Sequence, residues 1–483
     1  MKPQRTPVAR FASLALLAAV LLIAPTASRL LARQQKAPKP NVLVIAVDDL
    51  NHWVRHLGRY NQVVTPNIDR LAARGVTFAN AYAAAPVCNP SRAALMSGLR
   101  PSTTGVYNNG IDWRPVISRE KTLVTHFRAN GYKTAGAGKI YHGGFDRTDE
   151  WDEYGKERGG PCKLLNATDG VGAIKFSPVD CGDEGISDYS IADFGIAQLQ
   201  RTHDKPFLLT VGFHKPHMPW NVPKKYFDMY PIDTIELPPY REDDLSDVPL
   251  AGKRFARAPG SNSPDVPSDH ELMLKSGRWK EAVQAYLASI TYVDGQIGRV
   301  LDALDKSAHR DNTIILLFGD HGWSLGEKHH WRKFALWEEP TRAPFIWVAP
   351  AVTRAGTTSS RTVDFMSIYP TLADLCGLSI PAHVEGKSIR TLLVDPSANW
   401  GRAAVTTHGR ENHAVRTAQW RYIRYQNGNE ELYDETKDPY EWTNLAGDKR
   451  YDTLKAELAE FFPKINNPAP DSSNPRRGEV REQ

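Results

Sequence analysis

A chain of 483 residues with 41% hydrophobic and 10% aromatic content can bury one large core with a smaller one beside it. Its formal charge of +5 equals the five cations Lys2, Arg5, Arg10, Arg29 and Arg33 of an N-terminal stretch that carries no acid. What remains is neutral, with no basic cluster beyond Arg476, Arg477 and Arg481, which excludes a nucleic-acid partner, and four cysteines are too few for a disulfide-built scaffold.

In chain order, residues 1–35 read as a secretory signal peptide or an N-terminal anchor. Basic residues precede an apolar run from Phe11 to Ile23 that suits a signal core better than a membrane span. This predicts an exported protein, periplasmic or extracellular. Asn41 to Val47 is a continuous β-rich apolar run ending in Asp48-Asp49, the pattern of a buried parallel strand opening into a loop. A helix through Ile68 and Leu71 stops at Gly75, and Val76 to Tyr82 reads as a strand. The pattern continues with a helix from Ser91, a strand Lys133–Ala137, a helix Ser187–Gln200 and a strand Pro206–Phe213. A long amphipathic helix over Trp279–Asp305 and a buried strand Thr313–Phe318 follow.

This alternation predicts an α/β fold, a large mostly parallel sheet covered by helices on both faces, with sites at strand C-termini. Residues 40–380 are assigned to this main domain, within which 231–269 is rich in Pro, Asp and Ser and reads as a surface loop or lid. Residues 381–465 read as a small C-terminal α+β subdomain of antiparallel strands around Asn427-Gly428, and 466–483 as a disordered tail. Cys162 and Cys181 share one Gly-rich region and form a candidate disulfide, while Cys376 reads as a packed thiol.

Cys88-Asn89-Pro90-Ser91-Arg92, followed by Ser97-Gly98 and Arg100-Pro101, resembles the sulfatase signature, with Ser97 where Thr is commoner. Three further segments place the likeness nearest the iduronate-2-sulfatase group: Gly138-Lys139 with His142; His214-Lys215-Pro216-His217; and Asp320-His321-Gly322-Trp323. The resemblance runs from about Asn41 to Leu445 and implies an alkaline-phosphatase-like fold. It also implies oxidation of Cys88 to Cα-formylglycine by a formylglycine-generating or sulfatase-maturing enzyme.

By resemblance, Asp48, Asp49, Asp320, His321 and the modified Cys88 bind calcium. Converging carboxylates suit such a hard ion, and imidazole is an unusual addition. The implied reaction attacks sulfur with the hydrated formylglycine, expels the sugar alcohol and then releases sulfate. His217 is the acid for the leaving group, His142 serves the diol with Lys139 and Arg92, and Lys333 contacts a sulfate oxygen. The expected substrate is a sulfated, uronate-containing or otherwise anionic poly- or oligosaccharide. Trp220, His408, Arg410, His413 and Arg416 are candidate contacts, each equally readable as structural, and His329 and His330 are candidate pocket residues. Two rival readings stand beside this one: a phosphodiester or phosphonate monoester hydrolase of the same superfamily, and a noncatalytic sulfated-glycan-binding protein. The oligomeric state is left open.

Overall fold

The structure, a computed structural model, describes residue 1 and residues 39–257 and 266–470. The signal or anchor, and the tail from residue 471, lie outside the described residues. The described residues from Pro40 onward form one compact unit.

Among the described residues the main sheet takes β1 (Asn41–Val47), β2 (Val76–Tyr82), β3 (Lys133–Gly138), β4 (Glu153–Gly155), β5 (Phe207–Phe213) and β6 (Thr313–Gly319). A two-stranded ribbon of β7 (Ser324–Leu325) and β8 (Trp331–Arg332) intervenes before β9 (Phe345–Val348) and β10 (Thr357–Asp364) complete it. The order is β10-β2-β9-β6-β1-β5-β3-β4. β9 runs antiparallel to β6 and β2, and the other pairings are parallel. The fold is the expected alkaline-phosphatase-like one.

Side-chain alternation along β1 shows how two helical layers attach. Leu43, Ile45 and Val47 join one core with the helices Trp279–Lys306 and Asp188–Leu199. Val42, Val44 and Ala46 join the other with helices Cys88–Ser97, Leu123–Ala129 and Ile368–Leu375. No helix of the described residues is long and apolar enough to cross a membrane.

The small C-terminal sheet runs β11 (Ala404–Thr407), β12 (His413–Arg416), β13 (Trp420–Arg424) and β14 (Glu430–Asp434), all antiparallel. It docks on the main unit: Thr407 N–H donates to the Ala84 carbonyl at 2.9 Å and Thr406 Oγ1 to that of Ala83 at 2.6 Å. Two expectations are corrected. The segment 231–269 is not wholly loop, since it contains the helix Leu250–Ala256 and buries Ile235, Val248 and Ala256. The start of the supposed tail is held: Asn467 N–H donates to the Ser102 carbonyl at 2.9 Å, and the Asn467 carbonyl accepts from Tyr107 Oη at 2.7 Å. Cys162 and Cys181 are disulfide-bonded, with Cα atoms 5.2 Å apart.

One close approach positions the site. Gly138 and Gly212 are register partners at the C-terminal ends of β3 and β5, and Lys139 N–H donates to the Gly212 carbonyl at 2.8 Å. A Cβ at Gly212 would meet the Lys139 carbonyl oxygen at 2.2 Å. Gly212→Ala is therefore expected to cost roughly 1–3 kcal/mol by overpacking, read as a lower denaturation midpoint.

Candidate active site

The C-terminal ends of β1, β3, β5 and β6 lie side by side, because Val47 pairs with both Phe213 and Gly319, and Gly138 with Gly212. Asp48-Asp49 and Asp320 therefore leave adjacent strands into one crevice. Opposite them the helix Cys88–Ser97 begins at Cys88 itself, three residues earlier than the sequence reading placed it. Its N-terminus favours negative charge on that side chain. Arg92, one turn on, shares that face.

Cys88, Asp48, Asp49, Asp320, His321 and Lys333 are fully buried, Arg92 is 1% exposed and Lys139 is 9% exposed. Lys333 Nζ stands 3.0 Å from Cys88 Sγ and 3.1 Å from Asp49 Oδ1. Lys139 Nζ pairs with Asp48 and lies 3.7 Å from Cys88 Sγ. Arg92 donates from Nε to Asp320 at 2.8 Å and from Nη2 to Asp48 at 3.0 Å. His321 Nε2 lies 3.3 Å from both Cys88 Sγ and Asp49 Oδ1, and His217 Nε2 lies 3.8 Å from Asp49 Oδ2. His142 is near enough to Lys139, Lys333 and Asp48 to feel their charges. Every residue in the expected catalytic and metal sets is thus in this one neighbourhood.

The environment splits the titrating groups. Burial would raise Asp48, but Lys139 and Arg92 outweigh it and hold the carboxyl well below its usual range. Burial pushes Asp49 well above its range, more than Lys333 offsets. Burial, with Lys139 and Lys333, pushes His142 down to about 3, so its ring is neutral at ordinary pH. Burial would also lower His321, but Asp320 and Cys88 prevail and raise it to about 9.

The donor set fits a hard divalent cation. Ligand atoms of Asp48, Asp49, Cys88 and His217 lie within 4.8 Å of one another, as do those of Cys88, Asp320 and His321. The raised carboxyl of Asp49 marks a place where added positive charge is favourable. His321 Nδ1 donates to the Gly322 carbonyl at 2.9 Å, which fixes the tautomer that leaves Nε2 as the ligating atom. Binding there would release a proton from the imidazole.

The weaker sequence candidates are mostly structural. Trp220 is fully buried and donates to the Pro216 carbonyl at 2.7 Å. His413 bonds Thr407 at 3.0 Å, and Arg416 is buried against Glu338 at 3.2 Å. Arg410 pairs with Glu411 at 3.4 Å, while the largely buried His408 packs against Phe255 and Phe334. His214 pairs with Glu157 at 2.8 Å. The sequence reading missed two supports. Asp188 accepts from the backbones of His214 and Lys215 at 2.7 and 2.8 Å, bracing the segment that carries His217. Tyr286 Oη donates to the Asp49 carbonyl at 2.8 Å and accepts from Asn51 N–H at 3.0 Å. An Asp beginning a helix after Ser187 was the available signal for the first; Tyr286 sits in an apolar helix stripe with nothing to distinguish it.

The family model for sulfatases matches residues 40–378. The chain belongs to the sulfatase family. Such a protein is a sulfuric ester hydrolase, and a second model, for the N-sulphoglucosamine sulphohydrolase C-terminal region, matches residues 326–467. The sulfatase is 38% identical over 460 residues to a sulfatase of Formosa agariphila, spanning 90% of this chain and 88% of that one. It is 33% identical over 411 residues to the iduronate 2-sulfatase of Homo sapiens, spanning 74% of this chain and 73% of that one, which agrees with the motif likeness. A solved structure in complex with D-glucosamine-2-N,6-O-disulfate superposes with a TM-score of 0.70 at 24% identity, covering 87% of this chain and 96% of that one. A phosphonate monoester hydrolase of Agrobacterium radiobacter has the same fold, so the fold alone does not choose the ester.

Tyr286→Phe is expected to leave Asn51 N–H and one lone pair of the Asp49 carbonyl without their partner at a cost of about 1–3 kcal/mol, measurable by denaturant unfolding.

Proposed function

We propose that this sulfatase hydrolyses sulfate esters of an anionic, uronate-containing poly- or oligosaccharide outside the cytoplasm, using Cys88 after its conversion to Cα-formylglycine. The observation that carries the reading is the convergence on Cys88 Sγ of Lys333 at 3.0 Å, His321 at 3.3 Å and Lys139 at 3.7 Å, beside the buried carboxylate Asp49. A nucleophile ringed by cations suits an ester that carries its own negative charge. The likeness to iduronate 2-sulfatase supports a uronate-containing substrate.

The hydrated aldehyde at position 88 would supply two hydroxyls on one carbon, one as nucleophile toward sulfur and one to release sulfate as the aldehyde is restored. Asp48, Asp49, Asp320 and His321 would hold a calcium ion, which would supply Lewis-acid polarisation of the ester. The chain's own groups do the rest. Lys139 and Arg92 keep Asp48 ionised. Lys333 Nζ stabilises charge on the transferring sulfate. His217, whose Nδ1 is tied to the Met218 carbonyl, presents Nε2 to the centre and gives a proton to the departing sugar oxygen. His142, held neutral by burial and by Lys139, accepts a proton from the diol side. Because Cys88 is fully buried, the maturing enzyme must reach it before this helix packs.

Protein from a maturase-competent host is expected to show an aldehyde in place of the thiol in the Cys88 peptide by mass spectrometry, and to release sulfate from sulfated uronate-containing saccharides. Phosphate-ester cleavage alone would favour the phosphonate-hydrolase reading. An unmodified thiol with no turnover, once a known sulfatase matures in the same host, would favour a noncatalytic binding protein. In the active protein, Lys333→Ala should lower kcat on the order of 10²–10³-fold, and chelation should abolish turnover in a way that Ca²⁺ reverses.

A further inference from the structure

A cavity of about 510 Å³ is bounded by the helix Leu250–Ala256, the start of the helix Asp269–Ser276 and His329. Among the described residues three cations, Lys253, Arg254 and Arg257, line it against one carboxylate, Glu271. That carboxylate is already engaged: it accepts from Ser268 N–H at 2.6 Å in a capping box and lies 3.7 Å from Arg257. Arg254 is exposed and has no carboxylate partner among the described residues. Lys253 Nζ reaches the Ser246 carbonyl at 3.4 Å and, among the described residues, no acid. Such a wall favours an anion.

His270 is a second, independent mark. It is 3% exposed and lines the cavity, and its Nδ1 lies 3.2 Å from Trp331 Nε1. An indole N–H only donates, so Nδ1 accepts and the proton of the neutral ring sits on Nε2. That Nε2–H has no acceptor among the described residues. Buried donors are normally satisfied, and a small shift of the ring would present this one to a ligand oxygen in the cavity. Beside it, His329 lies flat on His270, with centroids 4.8 Å apart and planes at 7°. Tyr240, 39% exposed, lies on His329 at 5.2 Å and 26°. Of these three rings His270 and His329 line the cavity, and the stacking holds their edges in place.

The cavity and the reaction centre share one short stretch of chain. His330 Nε2 lies 2.7 Å from the Lys333 carbonyl and Nδ1 lies 3.0 Å from that of Ala256. His329, in the cavity wall, and Lys333, beside Cys88, are four residues apart, so their Cα atoms are within about 14 Å. A polymer with one ester at Cys88 would have to span about that separation for a neighbouring sugar to occupy the cavity.

We propose that this cavity is a second anion subsite, which takes a sulfated or carboxylated sugar of the same saccharide away from the ester being cleaved. Lys253 and Arg254 pair with its charge, His270 Nε2–H donates to one of its oxygens, and His329 borders its ring. The inference rests on the reading of the substrate as an anionic saccharide.

The test measures equilibrium binding of a sulfated tetrasaccharide prepared from heparin. Cys88→Ala protein, which cannot turn it over, is compared with the same protein also carrying Lys253→Gln and Arg254→Gln. The double substitution is expected to weaken binding about tenfold, which is 1.4 kcal/mol, and to flatten its salt dependence, with an unchanged Tm showing that the fold persists. Equal affinities, or no saturable binding by either protein, would overturn the proposal. Sulfate release by the matured parent is read separately. Turnover together with equal affinities removes the subsite alone. Absence of turnover with a tenfold affinity difference keeps a saccharide site and removes the hydrolase reading beneath it.

Discussion

The site depends on one guanidinium. Arg92 donates to Asp320 and Asp48, and from Nη1 to the carbonyls of Lys139 and Ile140. A single side chain thus binds the ends of β1, β6 and β3 to the helix that begins with Cys88. The planar fork has donors in the right directions for this, whereas a lysine ammonium would satisfy fewer of these partners. All of it is out of water, so each carboxylate relies on that partner for the charge compensation that solvent no longer gives. The strand register and the position of the nucleophile are consequently parts of one arrangement.

The same cations divide the acid–base work. Lys139 drives Asp48 down and, with burial, drives His142 down as well, leaving an ionised carboxylate beside a neutral imidazole. Asp49 and Asp48 are sequence neighbours with opposite shifts: Lys139 and Arg92 serve Asp48, while Lys333 and His321 do not offset the burial of Asp49. Environments that push like groups apart are how a buried site holds acids and bases ready at one pH. Lys215 extends the pattern. Burial pushes its ammonium down to about 8 despite Asp188, while its backbone N–H is fixed by that same carboxylate.

Much of this was legible from local pattern. β1 and β2 match the sequence reading, and the helix Trp279–Lys306 differs from it by one residue, because continuous apolar runs and a sustained 3.6-residue stripe are strong local signals. The Cys-x-Pro-Ser-Arg segment and the strand-end carboxylates carried the centre. What was not legible depends on partners far apart in sequence. β9 is a short apolar run that periodicity does not distinguish, and only its pairing with β6 and β2 makes it an antiparallel intrusion in a parallel sheet. Arg416 looks like a substrate cation until Glu338, 78 residues away, is seen to hold it. Trp220 looks like a sugar platform until its indole is found buried between Tyr286 and Trp323.

The small sheet is likewise tied to the chemistry by long-range ion pairs. Arg421, 1% exposed, donates from Nη1 to the Leu336 carbonyl at 2.8 Å and pairs with Glu338, Glu435 and Glu441. Trp337 Nε1 donates to Glu431 of β14 at 2.8 Å. Lys333 therefore begins a segment held at one end by His330 on its own carbonyl and at the other by the small sheet at Leu336 and Trp337. Buried pairs of this kind contribute little net stability over apolar packing but are costly to break singly. Their effect here is geometric, since a shift of the sheet would move the carbonyl of Leu336 and strain the stretch that carries Lys333 to Cys88. The C-terminal strands, which touch none of the reacting groups, thereby set where the cation beside the nucleophile stands.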